Sequence, residues 1–418
     1  MLRRSAVASV ALALGTVALA GAGGCSSSSS SSGSSSPCSN VAISRFQELE
    51  IVDPAVVTGS RAMNASDGAW SFRYAVEQMA PQGVDPGQFV DNWFTEWSTL
   101  STFNTYPLYT EPRSSMDQFI LCPWAQATAS NGCDSGCTCT VNPPKLDLSV
   151  APFRLLAVVN RMDLRQTAGI PPLGEGRLVF GLTNGPGDDP SSAPMPMTII
   201  FEYHLQPVMT LQGWAEAWHG LGSSTAFDEA YLSALQKITD TFVKGGADPS
   251  APNGSALGQA RTNESVTNWI WQLRQFGIGG SDGGMHSHTV TNTPYASFNG
   301  SASLSQFIQS NATAIENNNF LIPDTMLGGS TDQLQYRWQF PGLSDDLVSA
   351  FASNTCNGCH SEGINPSIDV AFHISPLRAV GADGTGRLST FLNNPGDIAH
   401  DELTRRGTVA QSALCGGP

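Results

Sequence analysis

The stretch NTCNGCHSEG, Asn354 to Gly363, places Cys356, Cys359 and His360 at i, i+3 and i+4. No other feature confines the chain so tightly, because three ligand-type side chains this close in sequence must share one turn and face one side of it. The residue types allow three chemistries. The thiols could add to the vinyl groups of a haem while the imidazole turns to the iron; they could form a disulfide or dithiol redox pair; or the group could bind zinc. Chance CxxCH matches in a chain of this Cys and His content number on the order of 0.003, so coincidence is a poor explanation. Gly358 is predicted to leave room for close approach of a porphyrin. Upstream, SDDLVSAFASNTC predicts a short helix that delivers Cys356. Ser344 would be its N-cap, Asp345 and Asp346 its first turn, and Leu347, Val348 and Phe351 its apolar face.

The redox compartment helps to separate these chemistries. Arg3 and Arg4 precede an apolar run from Ala6 to Ala22 without acidic residues, the pattern of a secretory signal. The run ends in LAGAGGC, and the whole resembles a bacterial lipoprotein signal. That resemblance implies lipidation of Cys25, which then becomes the mature N-terminus; Ala22 stands where the family favours Leu, and plain cleavage is the alternative. Ser26 to Asn40 is a serine-rich stretch too polar to order itself, so it reads as a tether behind the lipid. The expected organisation is a signal over 1–24, a lipidated Cys and tether over 25–40, an α+β body over 41–341 and a cytochrome c-like segment over 342–418. A membrane anchor through lipid and an exported location, facing periplasm or cell surface, follow from this reading.

Nine cysteines are an odd number, and the signal resolves it. Setting aside Cys25 for lipid and Cys356 and Cys359 for haem leaves Cys38, Cys122, Cys133, Cys137, Cys139 and Cys415, enough for three disulfides in an oxidising compartment. CDSGCTC with Cys122 could instead bind zinc. A formal charge of −15 argues against nucleic acid, whose phosphates need clustered cations. The same charge could steer a basic redox partner protein.

The body predicts an α+β fold. GQFVDNWFTEW spaces Phe89, Trp93 and Trp97 as one helical face, and STAFDEAYLSALQKITDTFVKGG does the same with Phe227, Tyr231, Leu235, Ile238 and Phe242. Thr225 and Asp228 are read as a capping box and Gly245 as the stop. Strands are predicted in runs from Phe153, Gly176 and Met197, and near Trp269. The blocks IVDPAVV, WSFRYAVEQM, APFRLLAVVNRMDLR, GEGRLVFG, TIIFEYHL, WAEAWHGL and NTCNGCHSEG, in this order, resemble a family of uncharacterised exported lipoproteins of the myxobacterial type. The mechanistic content that resemblance implies is the cytochrome c-type CxxCH alone.

The expectation is therefore a single covalent haem c, held through thioethers at Cys356 and Cys359, with His360 as proximal iron ligand. No methionine follows Met326, so a sixth ligand is sought among the histidines, His373 in AFHISPLR before His400 in DIAHDEL, with an upstream residue such as Met326 or an open position as the alternatives. Arg378 and Arg387 are candidates to pair with propionates. Two imidazoles would suit single-electron transfer; an open sixth position would suit a haem peroxidase or oxidase; a Cys356–Cys359 disulfide would leave a haem-free binding lipoprotein. His286 and His288 could hold a metal and Asp188 and Asp189 calcium, but a solvated loop and a turn are the plainer readings. His219 beside Trp214 and Trp218 reads as helix packing. No nucleophile elbow, phosphate loop or H-E-x-x-H is present, so no catalytic residue is assigned.

Overall fold

The apolar runs assemble into an antiparallel sheet in a computed structural model, which describes residues 41–417 other than 66–67, 104–108, 167–171, 267–270, 318, 333–337, 361–371 and 399–400. Cys25, Cys38, Trp269 and His400 lie outside the described residues. In chain order the strands are β1 (Glu50–Ile51), β2 (Ser101–Thr102), β3 (Tyr109–Thr110), β4 (Phe153–Arg161), β5 (Glu175–Thr183), β6 (Pro194–His204), β7 (Leu257–Glu264), β8 (Gln272–Gly279), β9 (Gly284–His288) and β10 (Ser330–Asp332). The helices are α1 (Pro54–Val57), α2 (Phe72–Met79), α3 (Pro86–Thr95), α4 (Cys122–Ala127), α5 (Leu211–Leu221), α6 (Glu229–Val243), α7 (Ala302–Ser310), α8 (Ala312–Glu316), α9 (Asp345–Ser353), α10 (Cys356–Cys359) and α11 (Glu402–Leu414). The class is α+β, as predicted. The main sheet runs β1-β4-β5-β6-β7-β8-β10, with β9 also paired to β8, while β2 and β3 form a separate ribbon.

The period-two alternation of the strands sorts their side chains onto two faces. Leu178 and Phe180 of β5, Ile199 and Phe201 of β6 and Phe276 of β8 join the main core with Phe72 of α2, Trp93 of α3, Trp218 of α5 and Phe242 of α6. Each such side chain contributes about 1.5–3 kcal/mol on burial. The helix over Phe89, Trp93 and Trp97 forms as α3 and a following 3₁₀ turn, with all three rings buried. At α6 the cap differs from the expected box. Asp228 is itself the N-cap, accepting the Tyr231 N–H at 3.0 Å, and Thr225 lies outside the helix.

The second face carries Leu156, Val159 and Val179, covered by Leu388, Leu392, Leu403 and Ala410 from the C-terminal part of the chain. The chain from Leu388 to Ala410 is thus built onto the sheet, while Leu347, Val348, Phe351 and Ala352 join a separate cluster with Leu304, Ile308 and Trp338; the chain from residue 41 on forms one compact unit. Cys122–Cys137 and Cys133–Cys139 are disulfides, so the CDSGCTC cysteines staple a loop where zinc was the alternative. Cys415 is disulfide-bonded as well. No helix among the described residues is long and apolar enough to cross a membrane.

Candidate functional site

Helix α9 begins as its sequence predicts. The Ser344 hydroxyl accepts the Leu347 N–H, Asp345 and Asp346 occupy the first turn, and Leu347, Val348, Phe351 and Ala352 are buried. Thr355 then caps the one-turn helix α10 and is the joint between the two. Its buried hydroxyl accepts from the Gly358 N–H at 3.2 Å and from Trp338 Nε1 at 2.9 Å, and donates to the Ala352 carbonyl at 2.9 Å. The Cys356 N–H donates to the Thr293 hydroxyl at 2.9 Å, tying the turn to the segment after β9.

Gly358 has a different role from the one predicted. A Cβ there would stand 2.3 Å from the Ala352 carbonyl oxygen and 2.6 Å from the Thr355 hydroxyl. The missing side chain makes room for the end of α9, not for a ligand. Gly358→Ala is expected to destabilise the fold by about 1–3 kcal/mol, read as a lower denaturant midpoint. An unchanged midpoint would show that α9 can retreat without cost.

His360 and His373, thirteen residues apart, meet in a column of stacked rings. Trp271, just before β8, lies 4.9 Å from the His360 ring; His360 lies 4.2 Å from His373; His373 lies 4.7 Å from Phe391, all between centroids. His373 is held from both ends, with Nε2 3.3 Å from the Cys359 sulfur and Nδ1 3.1 Å from the Ser389 hydroxyl. Burial, then the neighbouring His360 and Arg406, hold His373 far below the usual imidazole range, so it is neutral, with one ring nitrogen carrying its proton and the other free to accept. Burial, with Glu402 and Cys356 nearby, pushes the Cys359 thiol up to about 12. Cys356 and Cys359 are both free thiols, each partly exposed, and Cys356 packs beside Trp271, Leu273 and Val290.

Beneath this cluster the second sheet face carries a network of charges, buried at Glu50, Asp163, Glu202 and Arg406 and reaching solvent at Arg405, that the sequence reading passed over. Arg177 and Glu202 are direct partners across β5 and β6, 3.1 Å apart. Arg161 binds Asp163 at 2.8 Å, and Arg405 reaches the same carboxylate at 2.6 Å. Arg406 of α11 joins Glu50 of β1 at 2.8 Å and Glu402 at 3.1 Å. Burial alone would raise Asp163, but Arg161, Arg406 and Arg405 outweigh it and hold the carboxyl well below the usual range. Arg161 and Arg406 also act on Cys359 and His373, each favouring the form with less positive charge, though burial is the larger cause. The signal available in sequence was charge inside apolar strands: Arg161, Glu175, Arg177 and Glu202 interrupt runs that otherwise read as buried.

The remaining sequence-level candidates sit elsewhere. Arg378 directs its guanidinium to the carbonyls of Arg387, at 2.8 Å, and Phe372, at 3.0 Å, and Arg387 is buried. His286 bridges Asp282 at 3.0 Å and Glu96 at 3.4 Å, joining β9 to the end of α3. Asp188 accepts the Asn64 N–H at 2.7 Å, and Asp189 accepts from Ser191 in a turn. His219 leaves Trp214 and Trp218 to the core and contacts Glu48 at 3.0 Å. Among the described residues no group of three or more His, Cys, Asp or Glu side chains is arranged to hold a metal ion. Comparison with protein families, curated proteins and solved structures finds no match for this chain.

Proposed function

We propose that this is an exported, lipid-anchored, mono-haem c-type protein that passes single electrons to a redox partner protein. The observation that carries the reading is the convergence of two free thiols, Cys356 and Cys359, with two imidazoles, His360 and His373, in one place. The donor set fits covalent haem: the described cysteines outside the motif are in disulfides, while this pair is unbridged beside a neutral, desolvated histidine. Each thiol would add across a vinyl C=C, the sulfur forming the C–S bond and its hydrogen ending on the adjacent carbon, with nothing released. Bound there, haem supplies a one-electron Fe(III)/Fe(II) couple.

The chain's own residues do the rest. His360, backed by Trp271, would be the proximal ligand, and His373, oriented by Ser389 and backed by Phe391, the distal one. A second imidazole already at hand favours a carrier over an open-site peroxidase or oxidase. The rings are in contact at 4.2 Å, so admitting a porphyrin between them requires them to separate. Residues 361–371, which join them, lie outside the described residues. Lipidation of Cys25 would keep the protein at a membrane surface, and replacement by Ser should release it into the soluble fraction.

The deciding experiment is a pyridine haemochrome spectrum, with haem staining of a denaturing gel, on protein exported from a strain competent in c-type haem maturation. A c-type spectrum and a stain that survives denaturation are expected, with His373→Ala losing the low-spin absorption. Folded, exported protein carrying no covalent haem would sink the reading and leave the dithiol pair as the functional centre.

A further inference from the structure

Arg387 differs from the arginines of the charge network. Arg161 and Arg406 each face carboxylates, as set out above. The Arg387 side chain is only 5% exposed, makes no ion pair among the described residues, and leaves both Nε and Nη1 without a hydrogen-bond partner. A desolvated guanidinium with no counter-charge is disfavoured, and Arg406, equally buried, has Glu50 and Glu402 beside it where Arg387 has no carboxylate among the described residues. The charge near it has the same sign. Arg154 of β4 is the neighbouring charged group, and its own donors are taken by the carbonyls of Gly187 and Asp189, each at 2.9 Å. Burial, then Arg154, pushes Arg387 down to about 10, which still leaves it protonated at neutral pH.

The backbone around Arg387 is held firmly. Its carbonyl accepts from the Ser375 N–H at 2.9 Å and from Arg378 Nη1 at 2.8 Å, next to the Ile374 and Leu388 bridge. The same ladder carries His373 and Ser389, the Ser389 N–H donating to the His373 carbonyl at 2.8 Å. The backbone that carries the guanidinium is therefore fixed, and among the described residues its charge is unanswered.

We infer that Arg387 is the receptor of an anion site, taking a carboxylate or phosphate group on its free guanidinium edge. A planar fork of N–H donors suits an oxyanion with two coplanar oxygens. Two sources share this chemistry, a carboxylate carried by a covalently held cofactor and a free small anion. The inference does not rest on the haem reading, because among the described residues the guanidinium has no counter-charge in the haem-free chain.

The test uses the full mature chain, haem-free and haem-loaded, melted in inorganic phosphate or propionate against chloride at constant ionic strength. Haem-free wild type is expected to show a saturable rise of about 2 °C or more in melting temperature. Arg387→Met should show no such rise, and in chloride it should melt no lower than wild type because it removes an uncompensated charge; Arg387→Lys should keep part of the response. In the haem-loaded chain, loss of the response identifies the cofactor carboxylate as occupant, and its retention identifies a free anion. Equal responses of wild type and Arg387→Met in the haem-free chain would overturn the assignment, whatever the haem content proves to be.

Discussion

Arg406→Ala is expected to destabilise the protein by about 3–5 kcal/mol, the largest effect foreseen for a single change outside the core. Arg406 is buried, and it joins β1 to α11 through Glu50 and Glu402. Its removal would leave Glu50, 1% exposed, without its hydrogen-bonded cation. Burial already raises the Glu50 carboxyl and lowers the Arg406 guanidinium despite their contact, so desolvation outweighs the pairing on both sides. Breaking such a pair from one side is therefore costly, whereas replacing both members is not. The double variant Arg406→Met with Glu50→Leu should recover most of the loss in equilibrium denaturant unfolding. The sign with pH follows from the raised Glu50. Its charged form is the unfavourable one, so the single variant should regain stability as pH falls and Glu50 takes a proton. A loss below about 1 kcal/mol would mean that water reaches the network and screens it as it does at a surface.

Replacing Cys356 and Cys359 together with alanine is expected to remove all haem that survives denaturation, while the protein remains folded and exported. The sheet core does not involve these residues, and the disulfides lie elsewhere, so attachment and folding should separate cleanly. Each single variant should retain at most one thioether, visible as an altered haemochrome and a weaker stain. Cys359→Ala should act twice, because its sulfur also contacts His373 Nε2 at 3.3 Å. Intact mass gives the readout. Double-variant protein still carrying the covalent increment would place attachment at another residue and end the assignment of Cys356 and Cys359.

What the chain reveals locally and what it withholds follow the range of the interactions involved. Ser344 as a cap, the apolar face of α9 and the rings of α3 are set by neighbours within a turn, and spacing alone made them legible. Asp228 shows the limit of that logic, since a box displaced by three residues is indistinguishable from its neighbour until the helix start is known. Gly358 shows a further limit. A glycine between the motif cysteines invited a ligand-based explanation, but the atom it avoids is a carbonyl at the end of the preceding helix.

By itself the sequence determined the class of the fold and the one turn that brings Cys356, Cys359 and His360 together, because periodicity and i, i+3, i+4 spacing are local properties of a chain. Only the tertiary structure decided that His373 meets His360, that Trp271 and Phe391 close the column, and that the charges of Glu202 and Arg406 are buried with partners. Those pairings depend on strand order and register, and on the C-terminal chain lying across the second face of the sheet. Contacts between residues far apart in sequence leave no periodic trace in it, so their partners emerge only when the sheet is assembled.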